Sequence, residues 1–115
     1  MSDRHVTIDG GDAPETRTPL QAHDMFFDTH LGSIQKAMDD EDVASLTIIL
    51  PPAPSQHDAW RHAVAGDLAR EFTPRRINIA AGSKGEALNQ LLSYLKDAPG
   101  VTGHYVQSHE QNSPA

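Results

Sequence analysis

His57 and Arg61 stand four residues apart, a spacing that puts both side chains on one face at the start of an expected helix. A histidine titrates near neutral pH and can serve as a general acid. His30, on a separate expected helix, is placed to approach the pair across the sheet. The same residues also read as the polar first turn of a surface helix, where paired polar groups are merely solvated.

A second cluster, Gly82-Ser83-Lys84-Gly85, opens another expected helix, and free backbone N–H groups there suit an anion. The cluster lacks the Walker spacing, which needs four residues between the first Gly and Gly-Lys. An ordinary helix cap with flexible glycines explains it as well. The seven histidines are His5, His23, His30, His57, His62, His104 and His109. None makes an HExxH or comparable ligand pair, so no metal is expected. The acidic run Asp39-Asp40-Glu41-Asp42 reads as a solvated turn. Trp60, the single tryptophan, is expected in the core or at an interface.

These groups need a scaffold, and 115 residues supply one domain with one modest core. With 37% hydrophobic and only 5% aromatic residues, that core should be Leu, Ile, Val and Ala. A net charge of −7 argues against nucleic acid and anionic membranes as partners. Absence of cysteine removes disulfides, thiolate zinc sites and a Cys nucleophile, and is compatible with the cytoplasm. The apolar run Leu46 to Leu50 is far below the roughly 20 residues of a membrane span. The first five residues lack the regions of a signal peptide.

Val6-Thr7-Ile8 is a short strand stopped by Asp9-Gly10-Gly11-Asp12. Leu20, Phe27, Leu31, Ile34 and Met38 then recur at helical spacing, with Thr18 as cap and Pro19 in the first turn. Phe26, beside Phe27, is expected to reach outward. Leu46 to Leu50 reads as a strand buried on both faces, ended by Pro51, Pro52 and Pro54. Ser55 should cap a second helix with the stripe Trp60, Val64, Leu68 and Phe72, closed by Pro74. Ile77 to Ile79 is a third strand. Ser83 and Glu86 fit a capping box for a third helix carrying Leu88, Leu91, Leu92 and Leu95. Tyr105 and Val106 centre a fourth strand. The order β-α-β-α-β-α-β implies a parallel α/β sheet: a single Rossmann-like half-domain over residues 1–107, with a flexible tail over 108–115.

Several stretches in order resemble the short-chain dehydrogenase/reductase family. They are Leu68 to Ile79, Val101-Thr102-Gly103 before an apolar strand, Pro19 to Gly32, and the strand Leu46 to Leu50. The resemblance covers roughly Val6 to Gln107 and equates the chain with strands four to seven of that family's sheet. It implies a Rossmann-like fold with the last helix opposite the first two. It also implies association through the helices Leu20–Met38 and Ser55–Phe72 in a four-helix contact.

The departures matter equally. The family's glycine-rich nucleotide loop has no counterpart, and Gly10-Gly11 does not supply it. At the family's catalytic Asn stands His30. The Tyr-x-x-x-Lys pair falls on Pro54 and Asp58, or with a one-turn gap on His57 and Arg61. No cofactor is therefore expected, and the site candidates are limited to His30, His57 and Arg61. The reading that follows is a truncated, degenerate, non-catalytic protein interaction module. Its partner would be a second copy or a full-length dehydrogenase-like protein, met through Phe26, Ile34, Trp60, Val64 and Ala65. The first strand would leave an edge unpaired. The alternative is a small-ligand-binding protein, or an oxidoreductase subunit that takes its cofactor half from a partner chain.

Overall fold

The computed structural model describes residues 4–11 and 13–108. The chain runs β1 (Arg4–Asp9), α1 (Pro19–Met38), β2 (Val43–Leu50), a single 3-10 turn (Ser55–His57), α2 (Asp58–Glu71), β3 (Arg76–Ala81), α3 (Glu86–Lys96) and β4 (Tyr105–Gln107). The four strands form one all-parallel sheet in the order β1-β2-β3-β4. This is the α/β, Rossmann-like alternation expected from the sequence. The expected tail lies, from His109 onward, outside the described residues, as do Asp12 and the first three residues.

Strand pleating divides the core into two layers. Leu46, Ile48 and Leu50 of β2, with Ile77 and Ile79 of β3, face α1 and α2 and pack on Phe26, Ile34, Met38, Val64, Ala65 and Leu68. Ile49 and Ala80 face the other way and pack under Leu88 and Leu95 of α3. The sheet steps in one direction throughout, while the helix changes face. The third crossover thus has the opposite hand to the first two, so the three do not all follow the prevailing right-handed rule. This relieves the crowding that three helices on one side would cause. β1 and β4 are the two outer strands, and the far edge of β1 has no strand partner among the described residues.

α1 begins as expected. Thr18 Oγ1 accepts from the Gln21 N–H at 3.3 Å, Gln21 Oε1 accepts from the Thr18 N–H at 3.1 Å, and Pro19 opens the first turn. Its inner face differs from the expected stripe. Phe26 is buried at 3% exposure, while Phe27 is 37% and Leu20 83% exposed. The inner row is Ala22, Phe26, His30, Ile34 and Met38, each four apart. A histidine interrupts it, so the sequence pattern favoured the neighbouring row.

The other two helices start later than expected. Ser55 begins the 3-10 turn instead of capping α2, whose N-cap position is His57. His57 N–H is closed onto the Pro54 carbonyl at 3.0 Å, which holds that turn ahead of the helix. Ser83 does not cap α3 either. Gly85, at φ 156° and ψ −171°, leaves the helical path, and α3 starts after it at Glu86.

Candidate functional site

The C-terminal ends of β1 and β2 open onto a cavity of about 530 Å³. Ligand cavities in open parallel sheets lie at the C-terminal ends of the strands. Its wall takes Gly10 and Gly11 from the end of β1, Glu15 and Arg17 from the following loop, Phe26 and His30 from α1, and Trp60 and Arg61 from α2. The Gly10 N–H donates to the Ile49 carbonyl at 2.7 Å, and a Cβ at Gly10 would overlap that same oxygen. Glycine is required there so that the strand end can lie against β2.

His30 and Arg61 thus line the same cavity, while His57 does not. The expected polar surface turn is corrected: His57 is 0% and Arg61 1% exposed. Arg61 folds inward under the sheet's end. Its Nη1 donates to the Pro51 carbonyl at 2.9 Å and to the Tyr105 hydroxyl at 3.1 Å. Its guanidinium carbon lies 5.5 Å from the Trp60 ring centroid and 5.7 Å from that of Tyr105, positions that favour cation–π attraction. Trp60 Nε1 donates to His57 Nδ1 at 3.0 Å. An indole N–H can only donate, so His57 Nδ1 is the acceptor, and the ring hydrogen belongs on Nε2. Burial pushes His30 below the usual imidazole range.

Tyr105 and the Pro51 carbonyl escaped the sequence reading. Tyr105 reads as a strand residue, and no spacing rule links it to a helix forty-odd positions earlier. Of the expected contact residues, Phe26, Ile34, Val64 and Ala65 pack inside the chain's own core, and Trp60 is half-buried in the cavity wall. The outer face of α1 and α2 instead presents a groove of about 290 Å³. Its lining includes Phe27, Leu31, Gln35, Glu71 and Phe72.

The four anion candidates are divided. Gly82 and Ser83 line a small cavity of about 150 Å³ with Tyr105, Gln107 and Ser108. A Cβ on Gly82 would overlap Ser108 Oγ, so the room its missing side chain leaves is taken by the chain itself. Lys84 Nζ lies 3.3 Å from Asp9 Oδ2. The backbone N–H of Gly11 and, after it, Lys84 hold Asp9 below the usual carboxylate range. Gly85 has open space around it.

The described residues do not fit a nicotinamide dinucleotide. Gly10-Gly11 leads into a long loop, and the N-terminus of α1 is closed by its own capping box and by Pro19, which has no N–H. At α3 the close-approach glycine is filled by Ser108 and the lysine is paired with Asp9. No cluster of three His, Asp or Glu suited to a metal occurs among the described residues. Nor is any helix among them long and apolar enough to cross a membrane.

Comparison with curated proteins and with solved structures returned no match. A family model described as "Short chain dehydrogenase-like protein" matches residues 11–108. That span takes in α1 through β4 and nearly every side chain of the cavity wall. By this match, and by the parallel sheet beneath it, the chain belongs to the short-chain dehydrogenase-like family.

Proposed function

We propose that this chain is a non-catalytic, Rossmann-like interaction module that pairs with a second copy of itself through α1 and α2. The observation that carries the proposal is the groove between these helices. Phe27 stands exposed beside Leu31 and Phe72, over a base of Val64 and Leu68. Burying one such aromatic side chain contributes roughly 1.5–3 kcal/mol. A two-fold axis would bring each protomer's Phe27 to the other's groove, so each contact occurs twice. Gln35, Asp67 and Glu71 would form its polar rim.

The non-catalytic part rests on how the candidate groups are used. His57 Nδ1 is occupied by Trp60, and Arg61 Nη1 is shared between a carbonyl and a phenol. The Arg61 bonds hold α2 against the strand ends, and the Trp60–His57 bond closes the first turn of the helix on itself. Light scattering at micromolar concentration should return the mass of a dimer, and Phe27→Glu should return a monomer with unchanged far-UV circular dichroism. A monomeric parent protein would overturn the pairing. Titration with NADH should give no saturable change in Trp60 fluorescence; a saturable one would overturn the non-catalytic reading.

A further inference from the structure

The cavity at the strand ends holds a buried cation, Arg61, with no counter-charge among the described residues. Arg61 has no carboxylate within ion-pair distance among the described residues. Its Nε is buried with no hydrogen-bond partner, and Nη2 makes no bond to any described residue. An unpaired buried charge is strongly unfavourable, so the arrangement gains whenever an anion reaches it. The bonds of Nη1 leave the Nε–Nη2 edge unbonded, and because Arg61 is 1% exposed a ligand meets that edge only by displacing neighbouring side chains of the cavity wall. That edge presents two parallel N–H groups, the geometry that matches both oxygens of a carboxylate.

The surroundings suit the rest of such a ligand. Arg17 lines the same cavity, and the carboxylate there, Glu15, is already engaged by the Arg17 backbone N–H at 2.8 Å and its guanidinium at 3.3 Å. Among the described residues of the wall, two arginines stand against one carboxylate, in a chain of net charge −7. Trp60, Phe26, Met25 and Leu50 supply an apolar wall. The volume, about 530 Å³, lies within the usual range for small-molecule sites. We infer that this cavity binds a small organic carboxylate with a flat apolar body, the carboxylate on the free edge of Arg61 and the body against Trp60. The inference does not depend on how the helices pair.

Benzoate is a suitable probe, with the Trp60 fluorescence and the NMR shifts of the Trp60 indole and Arg61 Nε–H as readouts. Benzoate should saturate at millimolar concentration or below, and benzamide, equal in shape but uncharged, should bind roughly tenfold more weakly or worse. Arg61→Lys keeps the charge and loses the fork, and should weaken benzoate. Because Arg61 is buried, a second variant guards against misfolding. Thr29→Glu, on an exposed residue of the same cavity wall, should weaken benzoate and leave benzamide unchanged. Failure of benzoate to saturate, equal binding of benzamide, or no effect of Thr29→Glu would overturn the site. Inorganic phosphate binding as tightly as benzoate would overturn the apolar-body assignment.

Discussion

Arg75 and Arg76 are neighbours in sequence that close helices on opposite faces of the sheet. Arg75 Nη2 donates to the Met38 carbonyl at 2.8 Å and its Nη1 to that of Asp40 at 3.1 Å, at the end of α1. Arg76 Nη1 donates to Leu95 and Ala98 carbonyls at 3.0 and 2.8 Å, and its Nη2 to that of Lys96 at 3.2 Å, at the end of α3. Side chains alternate faces where β3 begins, which sends the two guanidinia apart. Each meets the negative end of a helix dipole and last-turn carbonyls that have no partner within the helix. The acidic run Asp39 to Asp42 directly after α1 opposes its dipole, and Arg75, just ahead of β3, adds its charge there to that of Lys36 in the helix's own last turn.

Arg75→Met and Arg76→Met should each therefore destabilise the fold by about 1–2 kcal/mol in urea denaturation. Because the two side chains share no acceptor and lie on opposite faces, the double variant should lose the sum of the two within about 0.5 kcal/mol. A coupling well above that would mean that the helix ends communicate through β3.

Tyr105→Phe keeps the ring against Arg61 and removes only the acceptor for Nη1. A hydrogen bond to a charged donor in a buried setting is worth about 1.5–3 kcal/mol, and the Pro51 carbonyl remains as a second acceptor. The expected loss lies at the lower end of that range, read as a shift in the denaturation midpoint at constant slope. An unchanged midpoint would show that the phenol is not a working partner of Arg61.

The order of elements and the parallel class were legible because apolar periodicity survives in β2 and α3, and because Thr18-Pro19-Leu20-Gln21 spells out its own cap. The candidate site was legible only in part. His30 and Arg61 were marked by side-chain type, and the fold does bring both to one cavity. Burial of Arg61 was hidden, since a polar first turn looks solvated until Tyr105 and the Pro51 carbonyl are known to meet it. The exchange of Phe26 for Phe27 has a related cause. The inner row of α1 passes through His30, whose polarity argues against that row in any hydrophobic pattern, although the cavity accommodates it.

His5 and His30 give the fold a defined dependence on pH. Burial lowers the pKa of both below the ordinary 6.5, helped at His5 by the positive charges of Arg76 and Lys96 and opposed there by Asp97. In the window between each lowered value and 6.5 the unfolded chain binds the proton and the folded chain does not. Stability is therefore full above 6.5, falls as the pH drops through that window, and levels off below the folded values. His5→Asn and His30→Asn should each flatten the slope of urea stability between about pH 7.5 and pH 5. A slope unchanged in the double variant would assign the dependence to other groups.

Gly10→Ala tests whether the end of β1 sets the shape of the cavity. A Cβ there would collide with the Ile49 carbonyl oxygen, which is backbone in the buried part of β2 and cannot swing away. It would also press on Leu50 Cδ2 at 3.0 Å and approach His30 Nε2 at 3.6 Å. Relief requires β1 to lift from β2 at its last residues, with loss of the 2.7 Å bond from Gly10 N–H to that carbonyl. Gly11→Ala meets no atom within 4 Å and carries only the strain of a positive φ of 93°. That strain costs about 1–2 kcal/mol for a residue with a Cβ. Gly10→Ala should be the more destabilising of the two, by at least about 1 kcal/mol in denaturant. It should also shift the amide resonances of His30 and Leu50, which Gly11→Ala should leave in place. Equal losses for the two variants would mean that β1 is held more loosely against β2 than its parallel register from His5 to Asp9 indicates.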